Sequence, residues 1–104
     1  MYVVIWEYQV NTAHAAEFEE IYSSTGPWAA LFQKGTGFLE TQLLRNHKDP
    51  NRYITMDRWD SLQEYEPFRS QWKTEYEALD AKCEGLTKQE TLLGQWQVIL
   101  DETR

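Results

Sequence analysis

The pattern of apolar and polar positions marks three stretches of the chain as strand-like. In the first, Tyr2–Val10, one face carries Tyr2, Val4, Trp6, Tyr8 and Val10, and the other Val3, Ile5, Glu7 and Gln9, which is strand periodicity. Both faces begin apolar, so both are predicted to be covered for at least half their length. Phe38–Arg45 and Arg52–Trp59 are together rich in Phe, Leu, Thr, Tyr, Ile and Trp. They flank Asn46-His47-Lys48-Asp49-Pro50-Asn51, which has the composition of a chain reversal. A period near 3.6 replaces the period of two elsewhere. It predicts a helix over His14–Ser23, capped by Asn11-Thr12, and, after Gly26-Pro27, a short helix over Trp28–Gln33. Ser61 and Glu64 form a capping box. The long helix behind it carries the stripe Leu62, Tyr65, Phe68, Trp72, Tyr76, Leu79 and Cys83. Pro67, beyond the first turn, is expected to kink or restart that helix. Leu92–Leu100 reads as a last strand and Asp101–Arg104 as a polar tail.

The order β-α-β-β-α-β is the ferredoxin-like pattern, an α+β fold with a four-stranded antiparallel sheet covered by helices on one face. No third long helix is left for the other face, and a second copy of the same sheet is the simplest cover, giving a homodimer. The 104 residues are expected to form a single domain, 1–104, too short for separate cofactor and substrate domains. A net charge of −7 argues against a nucleic-acid partner, since phosphate binding needs clustered Lys and Arg. Cys83, the single cysteine, cannot form an internal disulfide, and no apolar run approaches a membrane span or a signal-peptide core. The expectation is a soluble cytoplasmic protein with no membrane partner.

Several chemistries lack their residues. Gly35-Thr36-Gly37 is followed by Glu40 where a dinucleotide turn needs a third glycine, and there is no G-x-S-x-G elbow. His14 and His47 are isolated, one at a helix start and one in a turn, so no metal site is expected. Cys83 on an apolar stripe reads as a small core residue. The strand charges Glu7, Glu40, Asp57 and Arg58 read as ion pairs near sheet ends or a dimer seam. Aromatics carry the candidate site: Tyr8, Trp28, Phe32, Tyr65, Phe68, Trp72 and Tyr76 lie on inward faces of converging elements. Phe32 and Phe68 read first as core. Buried Tyr and Trp also want polar partners, and Tyr65, Trp72 and Trp28 would suit a flat aromatic ligand. The expected pocket lies between the sheet and the stripe Tyr65–Trp72–Tyr76, with Trp28 and Phe32 near its mouth and the Pro67 kink leaving room.

The element order, the GPWAALF segment at Gly26–Phe32, the G-F-L-x-T-x-L-L strand from Gly37, the R-Y-x-T-x-D-R-W strand from Arg52 and the late Leu93-Gly94 together resemble antibiotic biosynthesis monooxygenase (ABM) domain proteins of the dimeric α+β barrel superfamily. The resemblance covers about residues 2 to 98. It implies a dimeric barrel and, among the activities of that superfamily, a cofactor-independent oxygenase or related enzyme acting on a phenolic or polycyclic substrate. Tyr53, Arg58, Tyr65 and Trp72 are then the candidate catalytic residues, without assigned roles. The haem-degrading branch uses a first-strand Asn, a Trp early in the last helix and a His further along it. Here those positions hold Glu7 or Tyr8, Pro67 or Phe68, and Glu77, and none matches. The expectation is a colourless protein without flavin, haem or stoichiometric metal. The alternative is a non-catalytic dimeric module that binds a small hydrophobic molecule.

Overall fold

The computed structural model describes residues 1–99. Strand β1 (Tyr2–Val10) leads through a 3-10 turn at Thr12–His14 into α1 (Ala15–Ile21) and then α2 (Pro27–Phe32). Strands β2 (Phe38–Arg45) and β3 (Arg52–Trp59) follow, then α3 (Leu62–Gln71), α4 (Lys73–Cys83), a second 3-10 turn and β4 (Thr87–Gln97). All pairings are antiparallel, in the order β2-β3-β1-β4. The expected α+β architecture is therefore present.

Register decides which side chains share a face. Tyr2, Val4, Trp6 and Tyr8 lie opposite Trp59, Asp57, Thr55 and Tyr53. These residues face the helices, and all but Trp6 are buried. Val3, Ile5 and Glu7 pair with Arg58, Met56 and Ile54 on the other face, where Leu44 and Trp96 stand exposed. The Trp96 indole folds over Gly94, whose missing Cβ would sit 2.9 Å from Trp96 Nε1.

The element boundaries depart from the sequence expectations in four places. Asn11 makes no side-chain cap; its amide donates to the Gly85 carbonyl at 3.0 Å, tying the first turn to the end of α4. The single long helix is two helices, broken at Trp72 (φ −108°, ψ 25°) and not at Pro67. Pro67 removes one amide, whose partner would be the Gln63 carbonyl. Both residues are exposed, so water can take the bond and the helix continues. Glu64 N–H is capped by Ser61 Oγ at 3.3 Å, one half of the expected box. Strand β4 starts at Thr87, five residues before Leu92, because an edge strand held by backbone bonds to β1 does not need apolar side chains. Residues Leu100 and Asp101–Arg104, assigned from sequence to the last strand and the tail, lie outside the described residues.

Gly37 joins α2 to β2 with φ +88°, and an added Cβ would lie 2.7 Å from Glu64 Cβ. Gly37→Ala should destabilise by about 1–3 kcal/mol. Gly85→Ala, with nothing within 4 Å of the new methyl, should stay within about 0.5 kcal/mol of wild type. Urea unfolding of the two variants checks the pair; equal losses would refute the conformational account of Gly37.

Candidate functional site

The site originates in the alternation of β3. Its helix-facing positions are Tyr53, Thr55, Asp57 and Trp59, large at both ends and small and polar in the middle. Trp59 packs on Phe68, Tyr65 and Phe38 at ring-centroid distances of 5.0, 5.3 and 5.3 Å. Phe18 packs on Tyr53, Tyr22 and Tyr8 at 4.9, 4.2 and 5.2 Å. Two aromatic clusters thus fill the ends of the space between sheet and helices. A cavity of about 230 Å³, open on one side, remains between them. Its floor is Thr41, Thr55 and Asp57, and its walls are Trp6, Tyr8, Tyr22, Trp28, Phe32 and Tyr76. Trp28 and Tyr76 meet edge to face at 4.9 Å across one side. Arg69, Asp80 and Glu90 complete the lining. These three are exposed, so they mark the mouth. Leu92, which pairs with Trp6 on the helix-facing side of β4, is 43% exposed, so the helices stop short of the edge strand.

Asp57 dominates the electrostatics. It is 6% exposed, has no ion-pair partner among the described residues, and accepts a hydrogen bond from Thr41 Oγ1 at 2.8 Å. Thr41 and Asp57 are direct cross-strand partners, so the sheet register itself makes this contact. Burial pushes the carboxyl up to about 7, against the opposing pull of the Thr41 bond. Tyr8 and Thr55 share a hydroxyl hydrogen bond at 3.0 Å. Burial holds the hydroxyls of Tyr8 and Tyr22 far above their usual range and lifts Tyr76 to about 12, so all three are neutral near pH 7. Arg69 donates to the Tyr65 hydroxyl at 3.0 Å and lies 4.2 Å from the centre of the Tyr76 ring. The Trp28 indole N–H is buried without an oxygen or nitrogen acceptor. Burial also raises the Cys83 thiol, which leaves it an inert packing group. Among the described residues no group of three or more His, Cys, Asp or Glu is placed to hold a metal, and no helix is long and apolar enough to cross a membrane.

An aromatic cavity in an α+β sandwich, with a buried carboxyl on its floor, can be set beside known proteins. The family model for antibiotic biosynthesis monooxygenase matches residues 1–73. The chain belongs to the ABM family. No curated protein is a significant sequence match. Among solved structures, SnoaB from Streptomyces nogalater, a cofactor-independent oxygenase, is 19% identical with a TM-score of 0.75, covering 99% of this chain and 97% of that one. A candidate antibiotic biosynthesis monooxygenase from Deinococcus radiodurans is 15% identical with a TM-score of 0.74, covering 97% and 95%. PA3566 from Pseudomonas aeruginosa is 15% identical with a TM-score of 0.67, covering 95% and 94%. At these identities the likeness establishes a shared fold.

In this ABM chain, Tyr8, Trp28, Phe32 and Tyr76 of the sequence-derived set line the cavity. Tyr65 and Phe68 lie in the aromatic cluster around Trp59, and Tyr65 reaches the cavity through its bond to Arg69. Trp72 sits at the helix break, half-buried, with Lys34 Nζ 5.2 Å from the centre of its ring. Tyr53 hydrogen-bonds Glu19. Arg58 is on the opposite face of the sheet, bonded to Glu40 at 3.3 Å and Gln42 at 2.8 Å. The expected strand ion pairs exist for Glu7 with Arg52 (3.1 Å) and for Glu40 with Arg58. Asp57 is the correction: its parity on β3 turns it inward, and among the described residues it forms no ion pair.

Raising the folded-state pKa of a carboxyl means the native state holds its proton longer than the unfolded chain does. The stability contributed by protonated Asp57 is therefore complete below about pH 4 and is lost as pH rises to about 7. Asp57→Asn, which keeps an acceptor for Thr41, should remove this slope. Its stability relative to wild type should rise by roughly 3–5 kcal/mol between pH 4 and 8. Urea unfolding at several pH values measures the difference; a flat difference would show that Asp57 is solvated as an ordinary carboxylate.

Proposed function

We propose that this chain adds oxygen from O2 to a small phenolic ring, without a bound cofactor, using Asp57 as the proton acceptor. The observation that carries this reading is a single buried carboxyl on the floor of an aromatic cavity. Burial raises its pKa to about 7, where a general base is most effective near neutral pH. Flat aromatic walls suit a flat substrate. A cavity of about 230 Å³ exceeds the roughly 150 Å³ that accommodates benzene, so one ring or two fused rings is the size class. Membership of the ABM family and the fold shared with a cofactor-independent oxygenase support the same reaction type.

The chemistry closes without an external reductant. Asp57 takes the phenolic proton, and the electron-rich phenolate gives one electron to O2. The resulting superoxide and phenoxyl radical combine at a ring carbon, and the peroxide takes the proton back from Asp57. Asp57 then removes the hydrogen from that carbon as the O–O bond breaks. The hydroxide that leaves receives this proton, giving a quinone and water, so one oxygen atom enters the ring. Tyr8 and Tyr76, held neutral, can donate hydrogen bonds but cannot act as bases, and Arg69 at the mouth offers a positive charge to the developing oxyanion. Excluding bulk water from the walls strengthens each of these interactions.

Oxygen uptake over a panel of naphthols and hydroquinones tests the reading. For an active substrate kcat/KM should rise as pH passes upward through about 7, because only the carboxylate accepts a proton. Asp57→Asn should lower kcat by roughly 10²–10⁴-fold. Binding without oxygen uptake by any member would leave the non-catalytic ligand-binding module as the function.

We also propose that a second copy covers the outer sheet face. Val3, Ile5, Ile54, Met56, Leu44 and Trp96 give that face an apolar centre, and Trp96 is 56% exposed. Sedimentation at micromolar concentration should give a dimer, and Met56→Asp a folded monomer. A monomeric wild type would refute it.

A further inference from the structure

The charges around the cavity are unbalanced in a way the oxygenation chemistry does not use. Three carboxyl side chains line it: Asp57 on the floor, Asp80 on α4 and Glu90 on β4. Arg69 is the one Lys or Arg in that lining. Its guanidinium is already engaged by the Tyr65 hydroxyl and the face of the Tyr76 ring, and Asp80 is close enough to favour its charged form. Among the described residues Glu90 has no cationic partner and accepts from Thr87 Oγ1 at 3.3 Å, and Asp57 has Thr41 as its side-chain donor. Burial, and after it the neighbouring negative charge of Asp80, raise Glu90 against the opposing pull of the Thr87 bond.

The walls point the same way. Trp6, Tyr8, Tyr22, Trp28 and Tyr76 present aromatic rings around one small volume, and such rings attract a cation over their faces. Arg69 lying 4.2 Å from the Tyr76 ring centre shows a cation already held on one of them. An anionic ligand would meet three carboxyls and one committed guanidinium.

We propose that the cavity selects a ring bearing a positively charged nitrogen, a protonated or quaternary arylalkylamine, over neutral and anionic rings of the same size. The ring would lie among Trp28, Phe32 and Tyr76 with its hydroxyl toward Asp57, and the ammonium group at the mouth beside Asp80 and Glu90. This deepens the proposed function, since it rests on the same cavity being the substrate site. It does not require that turnover occurs.

The test is a matched series differing only in side-chain charge: tyramine and its trimethylammonium analogue, 4-ethylphenol, and 4-hydroxyphenylacetate. Binding is followed by tryptophan fluorescence and by calorimetry at pH 8 and low salt. Tyramine is expected to bind roughly tenfold or more tighter than 4-ethylphenol, and 4-hydroxyphenylacetate weakest. Added salt should narrow the gap between cation and neutral ring. Glu90→Gln and Asp80→Asn, each confirmed folded by circular dichroism, should each reduce the tyramine-to-4-ethylphenol affinity ratio several-fold. Equal affinity for tyramine and 4-ethylphenol, tighter binding of the anion, or no binding by any member up to millimolar concentration would overturn the proposal. Oxygen uptake is scored separately. Cation preference without uptake would refute the oxygenase and keep this inference. Uptake without any cation preference in binding would do the reverse.

Discussion

The size sequence along one face of β3 governs the structure: Tyr53, Thr55, Asp57 and Trp59, large, small, small, large. The helices must seal that face against water, and they do so where rings are available to fill the space. Trp59 collects Phe38, Tyr65 and Phe68 at one end, and Tyr53 joins Phe18 at the other, with Tyr22 and Tyr8 beside it. Rings in edge-to-face and tilted contact are stiff wedges. They hold the helical layer at the height the large residues demand, and the small residues between them cannot reach it. A cavity with a carboxyl on its floor is the result.

That carboxyl sits where sheets ordinarily carry apolar residues. Thr41 stands directly across from Asp57 on β2 and supplies one hydrogen bond, which lowers the penalty of burial without providing a counter-charge. Destabilisation of the ionised form and usefulness as a proton acceptor near neutral pH have the same cause, the low polarity of the surroundings. Stability is given up as pH rises from about 4 to about 7, and the carboxyl titrates near neutral pH. The same surroundings keep the neighbouring phenols neutral, so the cavity separates one proton acceptor from several donors.

Coverage explains the mouth. The helices pack over β2, β3 and β1 but leave the helix-facing side of β4 open, where Glu90 and Leu92 are exposed. The opening therefore lies toward the edge strand, and its rim charges come from elements distant in sequence, Arg69 on α3, Asp80 on α4 and Glu90 on β4. Chain separation this large makes rim electrostatics a property of the tertiary fold.

Strand and helix order, the bounds of β1, β2 and β3, and the one-sided coverage of the sheet were legible in the sequence, because alternation and helical spacing report directly on local geometry and burial. The inward set on β3 was legible too: Asp57 shares parity with Tyr53 and Trp59, and following that parity would have placed the carboxyl under the helices and not in a surface ion pair. Pro67 was a strong local signal that misled, since its lost hydrogen bond faces water and the break fell at Trp72 instead. Which aromatics would be wall and which core could not be read from spacing. Tyr65, Phe68, Trp72 and Tyr76 share one stripe, yet the turn at Trp72 rotates α4 relative to α3, so that Tyr76 lines the cavity while Phe68 is packed against Trp59 and Phe32. Periodicity fixes a residue's direction from its own helix axis. Only the packing of one element on another decides what it meets there.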